Sequence, residues 1–357
     1  MINILAIRTH YSQWASQSGI VQYLKYLDNR FFAVSEQLVA MGDDAFPVQI
    51  KPIKKVLKKV LGFKKKKNYI YDLNDFNAEL SVLRRTWTEK IDIMQYLDPE
   101  HSLCYLPGWL NGPLSFKKDK PVIVAMFHQT KSVLKDIISP KLVRNLDHII
   151  LMSSEQKEFF SNDIDEEKIS VILHGIDTDY YQPDYAKRSN EKFKCVTVGH
   201  WLRDYDALEM VAASLLDKDF IEFHIVSNVR LKHDLRNIVI HKNISDRELL
   251  DLYQQANLLF MPFKDATANN AILEGMACGL PILTTDLIAT REYAKDVGAF
   301  FVKNNNVEDF RQYLLALASD TGQSNQLGEL SRRRALELSW PKITRQYESL
   351  YKGLVGR

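Results

Sequence analysis

Residues 258–286 read LLFMPFKDATANNAILEGMACGLPILTTD, and this stretch is the most informative part of the sequence. It begins as an apolar, strand-like run that ends at Pro262 and continues as a polar loop. A helical pattern follows and stops at Gly279, and Pro281 leads into a second apolar run. The order strand, loop, helix and strand predicts one repeat of a parallel α/β sheet.

The same alternation runs through most of the chain and predicts parallel sheets covered by helices on both faces. The predicted strands are Asn3–Ile7, Ile91–Gln95, Val122–Met126, His148–Met152, Ser170–Leu173, Cys195–Val198, Glu222–Val226, Ile238–Ile240, Leu258–Met261, Ile282–Thr284 and Ala299–Val302. The predicted helices include Gly19–Met41, Asp206–Leu216, Ser245–Gln255, Val307–Ala318 and Trp340–Val355. A length of 357 residues fits two α/β domains, and the polar, proline-marked stretch 178–193 is the best boundary between them.

The composition predicts a globular protein of a reducing compartment. The chain is 46% hydrophobic and 26% charged, and it has no apolar run of the roughly 18 residues that a membrane span needs. Its cysteines, Cys104, Cys195 and Cys278, lie far apart without metal-ligand spacing. We therefore expect neither a disulfide framework nor a zinc site.

The start of the helix after the loop is the best candidate for an anion-binding site. Asn269 and Asn270 suit a helix cap, which leaves backbone N–H groups at the carboxyl edge of the sheet. Glu274 lies about one turn further in, where a carboxylate can accept hydrogen bonds from a ribose diol. On spacing alone, an ordinary capped amphipathic helix with an incidental glutamate explains the pattern equally well.

Residues 51–67 carry nine lysines and no acid, and without them the chain would be net acidic. The apolar positions Ile53, Val56, Leu57, Val60 and Leu61 fall on one helical face. This composition is typical of a helix that lies in an anionic membrane surface. The predicted membrane-contact residues are Lys54, Lys55, Lys58, Lys59, Lys64, Lys65, Lys66 and Lys67. The alternatives are a solvated helix packed on its own domain and a nucleic-acid patch, which would lack the usual interleaved aromatic residues.

Four segments resemble glycosyltransferase family 4, a large group of retaining glycosyltransferases also called glycosyl transferases group 1. The segment NAILEGMACGLPI at 270–282 looks like the donor-site signature of that family. The segments ILMSSE at 150–155, LHGIDTD at 173–179 and VGHWLRD at 198–204 resemble other family segments in the expected order. The tail around Ser339 and Trp340 is similar to the family's final helix.

The resemblance implies the GT-B fold, in which two Rossmann-like domains face a cleft and a C-terminal helix crosses back to the first domain. The implied domains are 1–180 on the acceptor side, 181–338 on the nucleotide-sugar donor side, and the crossover helix 339–357. The match is specific from about residue 150 to about residue 300 and weak over 20–120.

The resemblance also assigns roles to residues. Glu274 would hold the ribose, and the backbone amides of Asn269, Asn270 and Ala271 would meet the β-phosphate and the sugar. Arg203 would neutralise the diphosphate, because its planar fork binds phosphate oxygens bidentately.

The remaining implied roles concern both predicted domains. Lys264 is a possible second cation for the diphosphate. Gly19 matches a glycine that lets the backbone approach the phosphates, and His128 matches a catalytic histidine near the donor sugar.

The sequence departs from the family pattern at two places. The first glutamate of a paired-glutamate motif would stand eight positions before Glu274, where this chain has Ala266. Asp265 beside it is the candidate catalytic substitute. His200 and Tyr205 occupy the places of the family's arginine and lysine, with Arg203 between them.

The implied reaction is transfer of a sugar, with retention, from a nucleoside diphosphate sugar to a hydroxyl of a lipid-linked or glycan precursor acceptor. UDP is the favoured nucleotide. We expect no cofactor, no bound metal and no nucleic-acid partner, and a cytoplasmic location at the inner face of the membrane. The alternatives are a nucleotide-sugar 2-epimerase of the same fold and a catalytically degenerate membrane scaffold.

Overall fold

The structure is a computed structural model that describes residues 1–9, 19–40, 46–61, 71–112, 120–188, 191–295 and 298–356. The chain divides into two compact units. The first contains the described residues up to Leu173, except Gly19, and the chain again from Ile343. The second contains Gly19 and the residues His174–Lys342.

Unit 1 is built on a parallel sheet with the strand order β2-β1-β3-β4-β5-β6. Its strands are β1 (Ile2–Thr9), β2 (Phe32–Val39), β3 (Ile93–Tyr96), β4 (Val122–Phe127), β5 (His148–Leu151) and β6 (Ile169–Val171). Its helices are α1 (Lys51–Val60), α2 (Leu73–Thr88), α3 (Pro99–Ser102), α4 (Leu106–Asn111), α5 (Lys131–Ile137), α6 (Pro140–Val143) and α7 (Lys157–Phe160). Short 3-10 helices cover Ile20–Tyr26, Ser154–Gln156 and Glu166–Lys168.

Unit 2 is built on a second parallel sheet with the order β9-β8-β7-β10-β11-β12. Its strands are β7 (Phe193–Val198), β8 (Ile221–Val226), β9 (Ile238–His241), β10 (Leu258–Met261), β11 (Ile282–Thr285) and β12 (Ala299–Val302). Its helices are α8 (Tyr205–Ala213), α9 (Asp246–Gln255), α10 (Asn270–Ala277), α11 (Ile288–Ala294), α12 (Val307–Ser319) and α13 (Thr321–Glu337), and the last helix is α14 (Trp340–Leu354). Short 3-10 helices cover Tyr185–Lys187 and Lys303–Asn305.

Four inner strands are buried along their whole length, as expected when helices cover both faces of a parallel sheet. All residues of β3, β5, β10 and β11 are buried. Separate apolar cores pack around the two sheets. This confirms the predicted α/β class with two Rossmann-like halves, and each predicted strand is present with small shifts at its ends.

The predicted helix over Gly19–Met41 is wrong. A 3-10 helix covers only Ile20–Tyr26, and Phe32–Val39 forms the edge strand β2, which pairs with β1 over its whole length. Ala33, Glu36, Gln37 and Leu38 favour helices by themselves. The long-range pairing with β1 outweighs that local preference, because β-strand formation depends on context more than helix formation does.

The last helix leaves unit 2 and joins unit 1, as the predicted crossover helix would. From Ile343 onward α14 belongs to unit 1. The Tyr351 hydroxyl donates to Gln95 Oε1 at 2.8 Å and lies 2.8 Å from the Tyr23 hydroxyl, and all three residues are buried. Among the described residues, no helix is both long and apolar enough to cross a membrane.

Candidate functional site

The strand order of unit 2 reverses between β7 and β10, and the loops that follow these two strands build the candidate site. From β7 the chain adds β8 and β9 on one side and then β10, β11 and β12 on the other. In open α/β sheets ligands bind at this reversal, outside the carboxyl ends of the strands. The site therefore lies where the segments 199–204 and 263–270 meet.

The two loops are joined by backbone contacts. Arg203 and Phe263 form an isolated antiparallel bridge, the Asp204 amide donates to the Pro262 carbonyl, and the Lys264 amide donates to the Leu202 carbonyl, both at 2.9 Å. Leu202 has a φ of 57°, which is costly for a residue other than glycine. The bonds on either side of Leu202 hold it in this conformation and so fix where the Arg203 side chain begins.

Arg203 points along the ends of the strands and is held by backbone oxygens. Its guanidinium donates to the carbonyls of Val198 and Trp201, each at 2.9 Å, and lies 4.7 Å from the centre of the Phe263 ring. A Cβ atom on Gly199 would lie 2.9 Å from Arg203 Nη2, so this position needs glycine both for space and for its φ of 88°. Burial lowers the pKa of Arg203 to about 10, against the opposing attraction of nearby groups that include Glu274.

Helix α10 begins beside this guanidinium. The Asn269 side chain caps the helix by accepting from the Ile272 amide at 3.3 Å, and the same oxygen accepts from Arg203 Nη2 at 3.4 Å. Asn270 and Ala271 are the first two helical residues, so their N–H groups belong to the unpaired set of the helix start. The structure thus brings Arg203, Asn269, Asn270 and Ala271 together at one positive helix end.

Glu274 lies on the same helix, one turn further in. Its side chain is only 4% exposed, and its Oε2 atom accepts a hydrogen bond from the Tyr253 hydroxyl at 2.8 Å. Gly275 lets the helix lie close to β10, since a Cβ atom there would be 2.8 Å from the Leu259 side chain. Tyr253 was missed by sequence reasoning, because in α9 it reads as an ordinary core position.

The other residues singled out in these two loops differ from Arg203 and Glu274 in their exposure and hydrogen bonding. Lys264 is exposed, and Asp265 turns back so that its Oδ1 accepts from the Ala266 amide at 2.9 Å. Ala266 is buried. His200 is exposed, whereas the Tyr205 hydroxyl donates to the Gly199 carbonyl.

A second network, also missed from the sequence, ties these loops to the end of β12. The Asn305 side chain donates to Asp204 Oδ2 at 2.8 Å and to the Phe263 carbonyl at 2.9 Å, and it accepts from the Thr285 hydroxyl. Asn305 has a φ of 51°. The pair Asn304 and Asn305, one residue after a predicted strand, was a sequence signal for such a turn, because asparagine tolerates this conformation.

Unit 1 holds the predicted His128 at the end of β4. Its backbone amide donates to buried Glu100, and its ring Nε2 faces the Leu97 carbonyl. A carbonyl only accepts, so Nε2 carries the hydrogen in this contact. Beside it, Asp98 accepts from the Thr9 amide at the end of β1 at 3.0 Å, and burial raises the pKa of Asp98 to about 7. Gly19, which belongs to unit 2, has a φ of 96°.

The lysine-rich helix α1 is part of unit 1 and has an exposed apolar face. None of its residues is buried, and Ile53, Val56 and Val60 are 43%, 60% and 75% exposed. Lys55 and Lys59 are exposed, and Lys54 and Lys58 are half-buried. The predicted contacts Lys64, Lys65, Lys66 and Lys67 lie outside the described residues.

Within the parts of the chain that the structure describes, no group of three His, Cys, Asp or Glu side chains is placed to hold a metal ion. The described cysteines, Cys104, Cys195 and Cys278, are free thiols. Burial raises the pKa of both Cys195 and Cys278, so these thiols are unreactive core side chains.

Comparisons with known proteins place most of unit 2 in a known family model and give a relative along most of the chain. Residues 192–320 match the family model described as "Glycosyl transferases group 1". An uncharacterized glycosyltransferase of Methanocaldococcus jannaschii is 22% identical over 320 residues, which are 84% of this chain and 85% of that protein.

Solved structures share the whole fold. Sucrose-phosphate synthase from Thermosynechococcus elongatus has a TM-score of 0.72 at 14% identity, with both chains covered completely. Anabaena HepE in complex with UDP and glucose has a TM-score of 0.67 at 11% identity, with 98% of this chain and 99% of that chain covered. The chain therefore has the GT-B fold, and residues 192–320 within it are similar to the glycosyl transferases group 1 family.

Proposed function

We propose that this protein is a retaining glycosyltransferase that moves a sugar from a nucleoside diphosphate sugar, with UDP as the favoured nucleotide, to a hydroxyl acceptor. One observation carries the proposal. The Arg203 guanidinium, the Asn269 cap and the start of α10 meet at the strand-order reversal of unit 2, and buried Glu274 follows one turn later.

The geometry suits a nucleotide diphosphate. The unpaired N–H groups of Asn270 and Ala271 and the helix dipole favour an anion, and Arg203 adds a full positive charge next to them. Glu274 is an acceptor further along the helix, where the ribose of a nucleotide bound by its phosphates would lie. A cation and a helix start together stabilise the charge that develops on a departing diphosphate.

In this proposal the sugar bond breaks as the diphosphate leaves, and the acceptor oxygen forms the new bond on the same face of the sugar. The acceptor proton passes to the departing diphosphate. Our candidates for contacts near the sugar are His128 and Asp265, with Gly19 and Lys264 near the phosphates, and we expect no metal. The preference for UDP is supported by the similar fold of Anabaena HepE, whose structure contains UDP and glucose.

Calorimetry with UDP, GDP, ADP and TDP tests the donor site. We expect one nucleotide to bind at micromolar to millimolar concentration. Arg203→Gln should weaken this binding at least a hundredfold, and Glu274→Gln at least tenfold. Arg188→Gln is the matched control, because Arg188 also donates to backbone carbonyls within unit 2, at Cys278 and Gly279. If wild-type protein bound none of these nucleotides, the proposal would be refuted and the scaffold alternative would come first.

Product analysis separates the transferase from the 2-epimerase. A transferase releases free nucleoside diphosphate in proportion to the glycosylated acceptor that it forms. A 2-epimerase converts the nucleotide-sugar without any acceptor. Acceptor-independent turnover would therefore contradict the transferase proposal.

We further propose that the acceptor is a lipid-linked or glycan precursor at the inner, cytoplasmic surface of a membrane, and that α1 contacts this surface. The support is the exposure of Ile53, Val56 and Val60 along one helical face. A helix packed on its own domain would bury these positions. Exposed apolar side chains flanked by lysines fit an anionic lipid surface, where each lysine contributes about 1 kcal/mol.

Co-sedimentation with vesicles tests this contact. We expect binding to vesicles of phosphatidylcholine with phosphatidylglycerol, and little binding to phosphatidylcholine alone. Substituting glutamate for the four lysines of α1 should abolish it, whereas the same change at four exposed lysines elsewhere in unit 1 should not. The α1 set is Lys54, Lys55, Lys58 and Lys59, and the control set is Lys25, Lys90, Lys135 and Lys141. Equal loss of binding in both sets would show that net charge alone is responsible and would contradict a role for α1.

A further inference from the structure

Tyr253 is buried in α9 and is hydrogen-bonded to Glu274, the carboxylate that we place against the ribose. Its hydroxyl donates to Glu274 Oε2 at 2.8 Å, and neither side chain is more than 4% exposed. Burial, followed by the charge of Glu274, raises the pKa of Tyr253 well above its ordinary value. The phenol therefore keeps its proton at physiological pH and serves as a permanent hydrogen-bond donor to the carboxylate.

The tyrosine is itself held firmly. The edge of the Tyr181 ring packs against the Tyr253 ring, with the centroids 6.4 Å apart. Arg332 donates to the Tyr181 carbonyl at 2.8 Å and to the Ala277 carbonyl, at the end of α10, at 2.7 Å. Both ends of the Tyr253–Glu274 hydrogen bond are thus attached to one frame, so the carboxylate has little freedom to rotate.

We propose that Tyr253 is a positioning residue that fixes the Glu274 carboxylate for a ribose diol and makes the donor site selective for ribonucleotides over 2′-deoxyribonucleotides. The inference rests on the proposed donor site. A carboxylate that is already oriented accepts hydroxyl groups without the entropy cost of being ordered on binding. Without the tyrosine hydroxyl, the same carboxylate would have to be ordered when the nucleotide binds. Much of the affinity that it gains from the second ribose hydroxyl would then be lost.

The test compares the dissociation constants of UDP and 2′-deoxy-UDP by calorimetry. We expect wild-type protein to prefer UDP about tenfold or more, as the loss of one good hydrogen bond predicts. Tyr253→Phe, which removes only the hydroxyl, should lower this preference to less than about threefold. In a Glu274→Gln background the same change should have no further effect, because the tyrosine acts through the carboxylate.

Tyr293→Phe is the matched control. Tyr293 is a buried tyrosine of the same unit whose hydroxyl accepts from the His174 amide at 2.8 Å, away from Glu274. The Tyr293→Phe variant should keep the full wild-type preference for UDP over 2′-deoxy-UDP. Glu274→Asp gives a second test if Tyr253→Phe does not fold, because it withdraws the carboxylate from the tyrosine but keeps the charge. It should also lower the preference below about threefold.

The outcomes separate the inference from the function on which it rests. A Tyr253→Phe or Glu274→Asp variant with the full wild-type preference would overturn the positioning role. So would wild-type protein that binds UDP and 2′-deoxy-UDP equally well, and in either case the donor site itself would stand. Wild-type protein that binds no nucleotide would refute the proposed function, and the inference with it.

Discussion

Replacing Arg203 by glutamine should separate stability from nucleotide binding. Arg203 is a half-buried cation that makes hydrogen bonds to Val198, Trp201 and Asn269, and no carboxylate among the described residues forms a salt bridge with it. A partly desolvated cation without a carboxylate partner lowers the stability of the free protein, and it strengthens the binding of an anionic ligand.

The size of the effect follows from the structure. Burial lowers the pKa of Arg203 from its ordinary 12.5 to about 10, so holding the charge costs about 3 kcal/mol at neutral pH. The two bonds to backbone carbonyls offset this cost, at about 1.5 to 3 kcal/mol each for a charged donor. A glutamine amide can keep the bond to Val198. Removing the desolvated charge stabilises the folded protein, and losing the hydrogen bond to Trp201 destabilises it by a similar amount. The free energy of unfolding should therefore change by less than about 1.5 kcal/mol.

Nucleotide binding should respond very differently. Losing two charge-assisted bonds to a diphosphate removes about 3 kcal/mol or more, which raises the dissociation constant of UDP at least a hundredfold. Urea unfolding followed by fluorescence measures the first quantity, and calorimetry measures the second. A variant that is destabilised by more than about 3 kcal/mol yet binds UDP as wild type does would refute the reasoning, because Arg203 would then be a structural residue.

Two further predictions concern the stability of unit 2. His224 Nδ1 lies 3.0 Å from His241 Nε2, and burial lowers the pKa of both rings. The neighbouring His241 lowers the pKa of His224 further, whereas Glu222 acts in the opposite direction. Their folded-state pKa values lie below the unfolded value, so their stabilisation is present above about pH 6.5 and is lost as the pH falls through the folded values. Thermal unfolding between pH 7.5 and pH 5 should show a smaller drop for His241→Gln than for wild type, and equal drops would contradict the assignment. Gly175→Ala should destabilise by about 1 to 3 kcal/mol in urea, since its Cβ would lie 2.3 Å from the Trp340 ring, and an unchanged midpoint would show that the ring moves aside freely.

The sequence was sufficient for the helix that carries the donor-site prediction. The pattern around 258–286 contains the strand, the Asn269 cap and the Gly279 stop, and the structure has α10 between them with a φ of 70° at Gly279. Caps and stops act through neighbouring backbone groups, so they can be read locally. The strand β2 could not be read in this way, because its partner β1 lies about thirty residues earlier in the chain.

The amino-acid sequence was enough to predict the α/β class, the strand alternation, the position of Glu274 one turn into its helix, and the exposure of the lysine-rich segment. The contact of Arg203 with the Asn269 cap and the hydrogen bond from Tyr253 to Glu274 became visible only in the folded structure. These pairs are separated by 66 and 21 residues, and the order in which the strands join the sheet brings them together. Hydrophobic periodicity reports which face of an element is buried, but it carries no information about which buried polar groups meet across that face.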